Sequence, residues 1–175
     1  MPMSHRLASI AVFAVLPFFA HADSQCDDGT QVNVSGRITT INTSPTRQAG
    51  QICVTLTKAS GQDVFDQCGA LLGTVVTSNQ QTGSTTLNHT ALFSKRQAFT
   101  TRNDVAQITG IQAVDAAGVP CAFSVVEKIN RITWSTGLLQ TGAVDITAVG
   151  TTSTCADKNI NTLTLTGKVC IKEKD

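Results

Sequence analysis

Apolar and polar residues alternate one by one along much of this chain, and this alternation limits its possible folds more than any other feature. The clearest runs lie at residues 32–38, 52–57, 144–148 and 162–171. Successive side chains of a β-strand point to opposite faces, so each run predicts a strand with one buried face. Threonine, which favours strands, occurs 26 times. The pattern therefore predicts an all-β protein.

Turn-forming residues separate the alternating runs. They are Thr43-Ser44-Pro45, Ser60-Gly61, and residues 78–83, 117–120 and 151–161. About eight to ten short strands with turns at this spacing are typical of a sandwich or barrel, whereas parallel βαβ units would need helices between the strands. No linker or shift in composition divides residues 23–175. We therefore expect a single domain there, stapled by disulfides.

The first 22 residues have the pattern of a cleaved export signal. A basic start leads into an apolar run of 14 residues, Leu7–Ala20, and Ala20-His21-Ala22 then matches an A-x-A cleavage site. The run is shorter than the ~20 residues that a membrane span needs, and no second apolar stretch follows. We expect a mature chain that begins at Asp23, carries no membrane anchor, and is periplasmic or secreted.

All six cysteines lie after the predicted cleavage site. They are Cys26, Cys53, Cys68, Cys121, Cys155 and Cys170. An even number of cysteines in an exported chain indicates disulfides, and six cysteines allow 15 connectivities. No C-x-x-C spacing occurs, and His89 is the only histidine after the signal, so the sequence predicts no metal site.

One disulfide can be predicted from strand register. If Ser60-Gly61 is a two-residue hairpin turn, the strands on either side of it pair so that Cys53 faces Cys68. Directly opposed Cβ atoms stand ~4.5–5.5 Å apart, slightly more than the ~3.5–4.5 Å of a disulfide. We therefore predict a Cys53–Cys68 bond and leave the other four cysteines unassigned.

Charge and motifs exclude several classes of function. The formal net charge is +1, without the clustered basic surface that nucleic-acid binding requires. The chain has no G-x-S-x-G, no Gly-rich phosphate loop, no H-E-x-x-H and no EF-hand loop. The sequence thus predicts no nucleic-acid partner and no cofactor.

Charged residues nevertheless fall on strand faces that look buried. In the run FSVVEKINRITW, alternation puts Glu127 and Arg131 on the same face as Phe123, and His89 shares the face of another strand with Phe93. A buried carboxylate needs a partner or a raised pKa, so Glu127, Arg131 and His89 are candidate catalytic residues for acid–base chemistry inside a barrel. The alternatives are charged ends that reach solvent at a rim, or a structural ion pair.

The stretch from Glu127 to Gly150, EKINRITWSTGLLQTGAVDITAVG, resembles the signature of the allene oxide cyclase and dirigent-like β-barrels. The matching features are the turn at Ser135-Thr136-Gly137, the small residues Gly142-Ala143, and Gly150; FTTRNDVAQITG from Phe99 is similar to the strand before that region. The resemblance implies an eight-stranded antiparallel barrel with a central cavity. The family includes cyclases of reactive lipid epoxides and proteins that steer radical coupling without a cofactor.

Two functions follow as hypotheses. The first is an exported β-barrel that binds a small apolar ligand or a secreted partner protein. The second is a cofactor-free cyclase or isomerase acting on a small hydrophobic substrate, with Glu127 and Arg131 polarising that substrate. A cavity with converging charges would favour the enzyme, and a core filled by leucine and valine would favour the binding protein.

The export signal and the even cysteine count generate the first testable prediction. Protein produced with its signal should have the intact mass of a chain that starts at Asp23 and should contain no reactive thiol. Mass spectrometry and thiol titration under denaturing, non-reducing conditions measure both. Two or more titratable thiols per chain would contradict the disulfide prediction.

Overall fold

A computed structural model describes Cys26 and residues 29–172, which form nine antiparallel β-strands. They are β1 (Gly29–Ser44), β2 (Arg47–Thr57), β3 (Asp63–Asn79), β4 (Ser84–Ser94), β5 (Gln97–Thr101), β6 (Asp104–Val114), β7 (Pro120–Thr136), β8 (Gly142–Ser153) and β9 (Asn161–Lys172). The predicted signal, residues 1–22, lies outside the described residues. Within those residues no helix has the length and apolar character to cross a membrane.

The strands close into one barrel with eight positions around its wall. β1 pairs with β2 and β9, and the ladder continues through β8 to β7 on one side and through β3 to β4 on the other. β5 and β6 lie end to end between β4 and β7 and together fill the eighth position. The predicted antiparallel barrel of about eight strands is confirmed.

The core consists of the inward-facing side chains of the alternating runs. Ile52, Val54 and Leu56 on β2 are buried, and so are the apolar positions of the runs at 32–38, 144–148 and 163–171. An eight-stranded barrel is just wide enough for such side chains to fill. Most of this interior is accordingly solid, and the cavity there, lined mainly by aliphatic residues and also by His89, Phe99 and Thr101, holds only about 40 Å³.

The two ends of the barrel differ. At the closed end, the β7–β8 loop folds across the opening and buries Leu139 in the core. The Lys172 amide donates to the Leu138 carbonyl at 2.8 Å, and the Ser135 hydroxyl donates to the Leu139 carbonyl at 2.8 Å. The opposite end, which we call the pocket end, carries the β1–β2 and β3–β4 turns and the β8–β9 loop.

All six cysteines are paired. The bonds are Cys26–Cys170, Cys53–Cys68 and Cys121–Cys155. The first attaches the segment before β1 to β9, the second joins β2 to β3 on the outer face, and the third joins β7 to the β8–β9 loop. The Cys53–Cys68 bond is the one that strand register predicts. The other two join segments that are far apart in the chain, for which the sequence offered no register.

The β2–β3 hairpin has the predicted pairing but a longer turn. Cys53 opposes Cys68 and Leu56 opposes Phe65, yet the register shifts after Leu56. The Lys58 amide donates to the Gln62 carbonyl and closes a loop of residues 59–61, in which the Gly61 amide donates to the Lys58 carbonyl and Gly61 has a φ of 86°. A type I turn followed by a left-handed glycine is the usual three-residue hairpin loop, so the two-residue turn at Ser60-Gly61 was wrong.

Removal of the cross-strand disulfide generates the second prediction. Replacing Cys53 and Cys68 together by alanine should lower the free energy of unfolding by ~2–4 kcal/mol, because the unfolded chain regains the entropy of a closed loop. Chemical denaturation measures the change, and the variant should still fold because the β2–β3 ladder remains. Non-reducing peptide mapping of the wild type should recover the three pairs above, and any other linkage of Cys53 would contradict the structure.

Candidate functional site

His89 on β4 and Glu127 on β7 both point into the barrel, as alternation predicts. Each is only 4% exposed. The His89 Nδ1 atom lies 3.4 Å from Glu127 Oε1. The two partners of Glu127 on the neighbouring strands, Ala106 and Ala148, are small, which leaves space around its carboxyl group. The structure therefore brings two of the three predicted site residues together.

Arg131, the third predicted residue, lies on the outer face of the barrel and is exposed. The register between β7 and β8 shifts between Ile129 and Arg131, so that Ile132, rather than Arg131, points inward. A bulge of this kind reverses the alternation of every residue beyond it. Arg131 is therefore not part of a site with Glu127.

Asp104 takes the place that was predicted for a charged partner. It is fully buried, and its Oδ2 atom lies 2.9 Å from His89 Nδ1. Thr101, at the end of β5, is also buried, and its hydroxyl donates a hydrogen bond to the same carboxylate oxygen. In a regular strand, residues three apart face opposite sides. Both face inward here because the chain breaks between β5 and β6, where Asn103 has a φ of 59°.

The sequence analysis missed Asp104 because its position depends on that break. Alternation carried through residues 99–105 would have put either Thr101 or Asp104 outside, but not both inside. The only signal was Asn103, since asparagine tolerates left-handed backbone better than most residues. A break of this kind re-aims side chains, and such irregularities are common beside active sites.

Gln48 on β2 reaches His89 across the intervening strand. Its Nε2 atom lies 3.4 Å from His89 Nε2. Gly73 on β3 separates the two residues, and a Cβ atom there would lie 2.5 Å from the Gln48 Cγ atom. Only glycine allows this approach. The sequence marked neither residue as functional.

A polar network holds the Gln48 amide in place. The Thr40 hydroxyl donates to Gln48 Oε1 at 2.7 Å, and the Asn161 amide donates to the same oxygen at 3.1 Å. Asn161 is itself 2% exposed and accepts a hydrogen bond from the Ser153 backbone. These bonds connect strands β1, β2, β8 and β9 at the pocket end. The network orients Gln48 toward the histidine.

Two carboxylate oxygens of this cluster lack hydrogen-bond donors. Among the described residues, Asp104 Oδ1 and Glu127 Oε1 are the buried side-chain oxygens without a partner. Leaving such a group unsatisfied costs about 1–3 kcal/mol, and more when the group is charged. The unpartnered oxygens in the cluster of His89, Asp104 and Glu127 therefore lower the free energy of unfolding of the protein.

Burial and charge displace two pKa values in the cluster. Burial raises the pKa of Glu127 above its usual range, an effect that His89 opposes and Asp104 reinforces. Burial acts to lower the pKa of His89, but the hydrogen bond that its Nδ1–H donates to Asp104 and the negative charges of Glu127 and Asp104 outweigh it. The pKa of His89 is therefore raised as well.

A pocket of about 210 Å³ opens at the pocket end of the barrel. About half of its lining is polar: Glu127, Gln48 and Asn161 contribute, together with Asn42, Ser44, Thr85, Thr152 and Thr154. The apolar lining comes from Val75, Leu87, Ile108, Val125 and Leu163, with the exposed Arg47 also contributing. The pocket is smaller than the ~300–1,000 Å³ usual for drug-sized ligands, so it suits a small molecule. A larger surface concavity beside the β6–β7 hairpin contains no residue of the cluster.

The raised pKa values generate the third prediction. A group whose pKa is higher in the folded state stabilises the fold below its unfolded pKa, and this contribution disappears as the pH rises through the folded pKa. The unfolding free energy should therefore fall as the pH rises above 4.5, the ordinary pKa of Glu127, and again above 6.5, the ordinary value for His89. Denaturation in chelator-containing buffer between about pH 4 and pH 8 measures the slope.

Glu127→Gln should flatten this dependence because the side chain keeps its size and loses its charge. The control is Asp145→Asn, which removes an exposed carboxylate from the outer face of β8 and should leave the slope unchanged. If the unfolding free energy had the same slope against pH in the wild type and in Glu127→Gln, the raised pKa of Glu127 would be contradicted.

No protein-family model, no curated protein and no solved structure matches this chain.

Proposed function

We propose that this protein binds a small, mainly apolar molecule in the pocket at the pocket end of its barrel. The observation that carries the proposal is the buried carboxyl of Glu127 within that pocket, surrounded by aliphatic walls. Binding pockets combine an apolar lining with a few polar groups that orient the ligand. Glu127, Gln48 and Asn161 would meet a polar group of the ligand, and the walls would cover its apolar body.

The divided interior favours binding here rather than in the middle of the barrel. The aliphatic half leaves a cavity of about 40 Å³, enough for water molecules but not for an organic ligand. The central cavity that the family resemblance implies is therefore reduced to the pocket beside Glu127. A partner protein is a weaker candidate, because a protein surface would have to reach a buried carboxyl.

The environment that we propose is extracellular or periplasmic. Three disulfides suggest an oxidising compartment, where such bonds form and persist. The predicted signal at residues 1–22 agrees with export.

A second candidate function is a cyclase or isomerase, in line with the resemblance to the allene oxide cyclase and dirigent-like barrels. The observation that favours it is the close approach of His89 to Asp104 and to Glu127, the member of this cluster that lines the pocket. Arg131 takes no part because it lies outside the barrel. Glu127 would then polarise a bound substrate, with His89 holding its carboxyl group in place.

A pair of matched variants generates the fourth prediction. Ala106→Phe should fill the pocket next to Glu127, whereas Val105→Phe places the same ring on the outer face of the same strand. Two-dimensional NMR of the ¹⁵N-labelled protein, titrated with a panel of small amphipathic fragments, should show shifts on β4, β6 and β7. These shifts should disappear in Ala106→Phe and persist in Val105→Phe.

The same titration separates the candidate functions. Fragments recovered unchanged support a binding protein, whereas conversion by the wild type, lost in Glu127→Gln with binding retained, supports the enzyme. Shifts that are equal in both phenylalanine variants, or no shifts at the pocket with any fragment, would contradict ligand binding there.

A further inference from the structure

We propose that His89, Asp104 and Glu127 form a binding site for one divalent transition-metal ion. The three side chains come from β4, β6 and β7, and their donor atoms all lie within 4.8 Å of one another. All three side chains are more than nine-tenths buried. The proposal concerns the protein without any organic ligand, so it does not rest on the function proposed above.

The two distances from His89 match the edges of a coordination shell, and the carboxylate oxygens of Asp104 and Glu127 lie within 4.8 Å of each other. The His89 Nδ1 atom lies 2.9 Å from Asp104 Oδ2 and 3.4 Å from Glu127 Oε1. Two ligands that bind one Zn²⁺ at ~2.1 Å, at angles between a right angle and a tetrahedral angle, lie roughly 3.0–3.4 Å apart. One small cation could therefore contact all three groups with minor adjustment.

A proton on His89 does not account for the cluster. Nδ1 carries at most one hydrogen, which can be directed at Asp104 or at Glu127 but not well at both. With that hydrogen directed at Asp104, Glu127 Oε1 has no donor, and Asp104 Oδ1 has none in either case. Two buried carboxyl groups beside one imidazole nitrogen are costly without compensating charge, and a divalent cation supplies that charge at their common point.

Neighbouring residues would orient these ligands. The Thr101 hydroxyl donates to Asp104 Oδ2 and so fixes the carboxylate plane. The Gln48 side-chain amide faces His89 Nε2 at 3.4 Å. This contact limits the rotation of the imidazole ring.

The pocket gives an ion both a route and further ligands. Glu127 lines the pocket, whereas Asp104 is fully enclosed behind it. An ion held by these three side chains would therefore have open coordination positions toward the pocket, next to Glu127. Water or an oxygen-bearing molecule can fill them. Three protein ligands with an open position are the arrangement of catalytic rather than structural zinc sites.

The donor set indicates which ions fit. One imidazole nitrogen and two carboxylate groups suit Zn²⁺ and Co²⁺, whereas Ca²⁺ and Mg²⁺ prefer oxygen ligands alone. Cysteine and histidine spacing gives no sign of this site, because two of its three ligands are carboxylates. All six cysteines are in disulfides, so they do not compete for the ion.

Calorimetric titration of the mature, untagged, disulfide-intact protein with Zn²⁺ alone tests the proposal. We expect one ion per chain, with no comparable binding of Mg²⁺. Asp104→Asn and Glu127→Gln should each weaken the affinity at least about tenfold, since even outer-shell partners of metal ligands contribute ~10–100-fold. The matched control Asp145→Asn, on the outer face, should bind as the wild type does. The titration contains no organic ligand, so its result does not depend on whether the pocket binds the fragments.

A second measurement needs no variant at all. His89 is the only histidine after the predicted signal, so the mature protein has a single imidazole to follow by ¹⁵N NMR. Zn²⁺ should shift the Nδ1 resonance and leave Nε2 protonated. Absence of stoichiometric Zn²⁺ binding, an unchanged imidazole spectrum, or full affinity in both carboxyl variants would overturn the proposal.

Discussion

Closure of the barrel is the constraint on which the other features depend. Once β3 pairs with β4 and β7 pairs with β5 and β6, no strand edge is left to complete the circle, and every inward side chain shares one narrow interior. Eight strands leave room for side chains and little else. Any irregularity in a strand therefore changes which side chain enters that space.

Two irregularities at neighbouring levels of the wall determine the chemistry of the interior. The break between β5 and β6 turns Asp104 and Thr101 inward, and the bulge after Ile129 turns Arg131 outward. Together they concentrate negative charge beside His89 and remove the cation that would have balanced it. Burial raises the pKa of Glu127, Asp104 reinforces that rise, and two carboxyl oxygens are left without partners.

The interior is consequently divided along the barrel axis. Toward the closed end, aliphatic side chains and Leu139 pack into a nearly solid core. Toward the pocket end, alanines next to Glu127 and a glycine beneath Gln48 create space that polar groups share. The apolar half supplies most of the stability through burial, which leaves the other half free to keep groups that cost stability.

The sequence by itself determined the fold class, the buried face of most strands, the inward position of His89 and Glu127, and the Cys53–Cys68 pairing. These features depend on local alternation and on hairpin register, both of which extend over neighbouring residues only. The tertiary structure alone decided the outward position of Arg131, the contribution of Asp104 and Gln48, and the two long-range disulfides. Those depend on which strands become neighbours and on where each strand breaks, because a shift of one residue moves every following side chain to the opposite face.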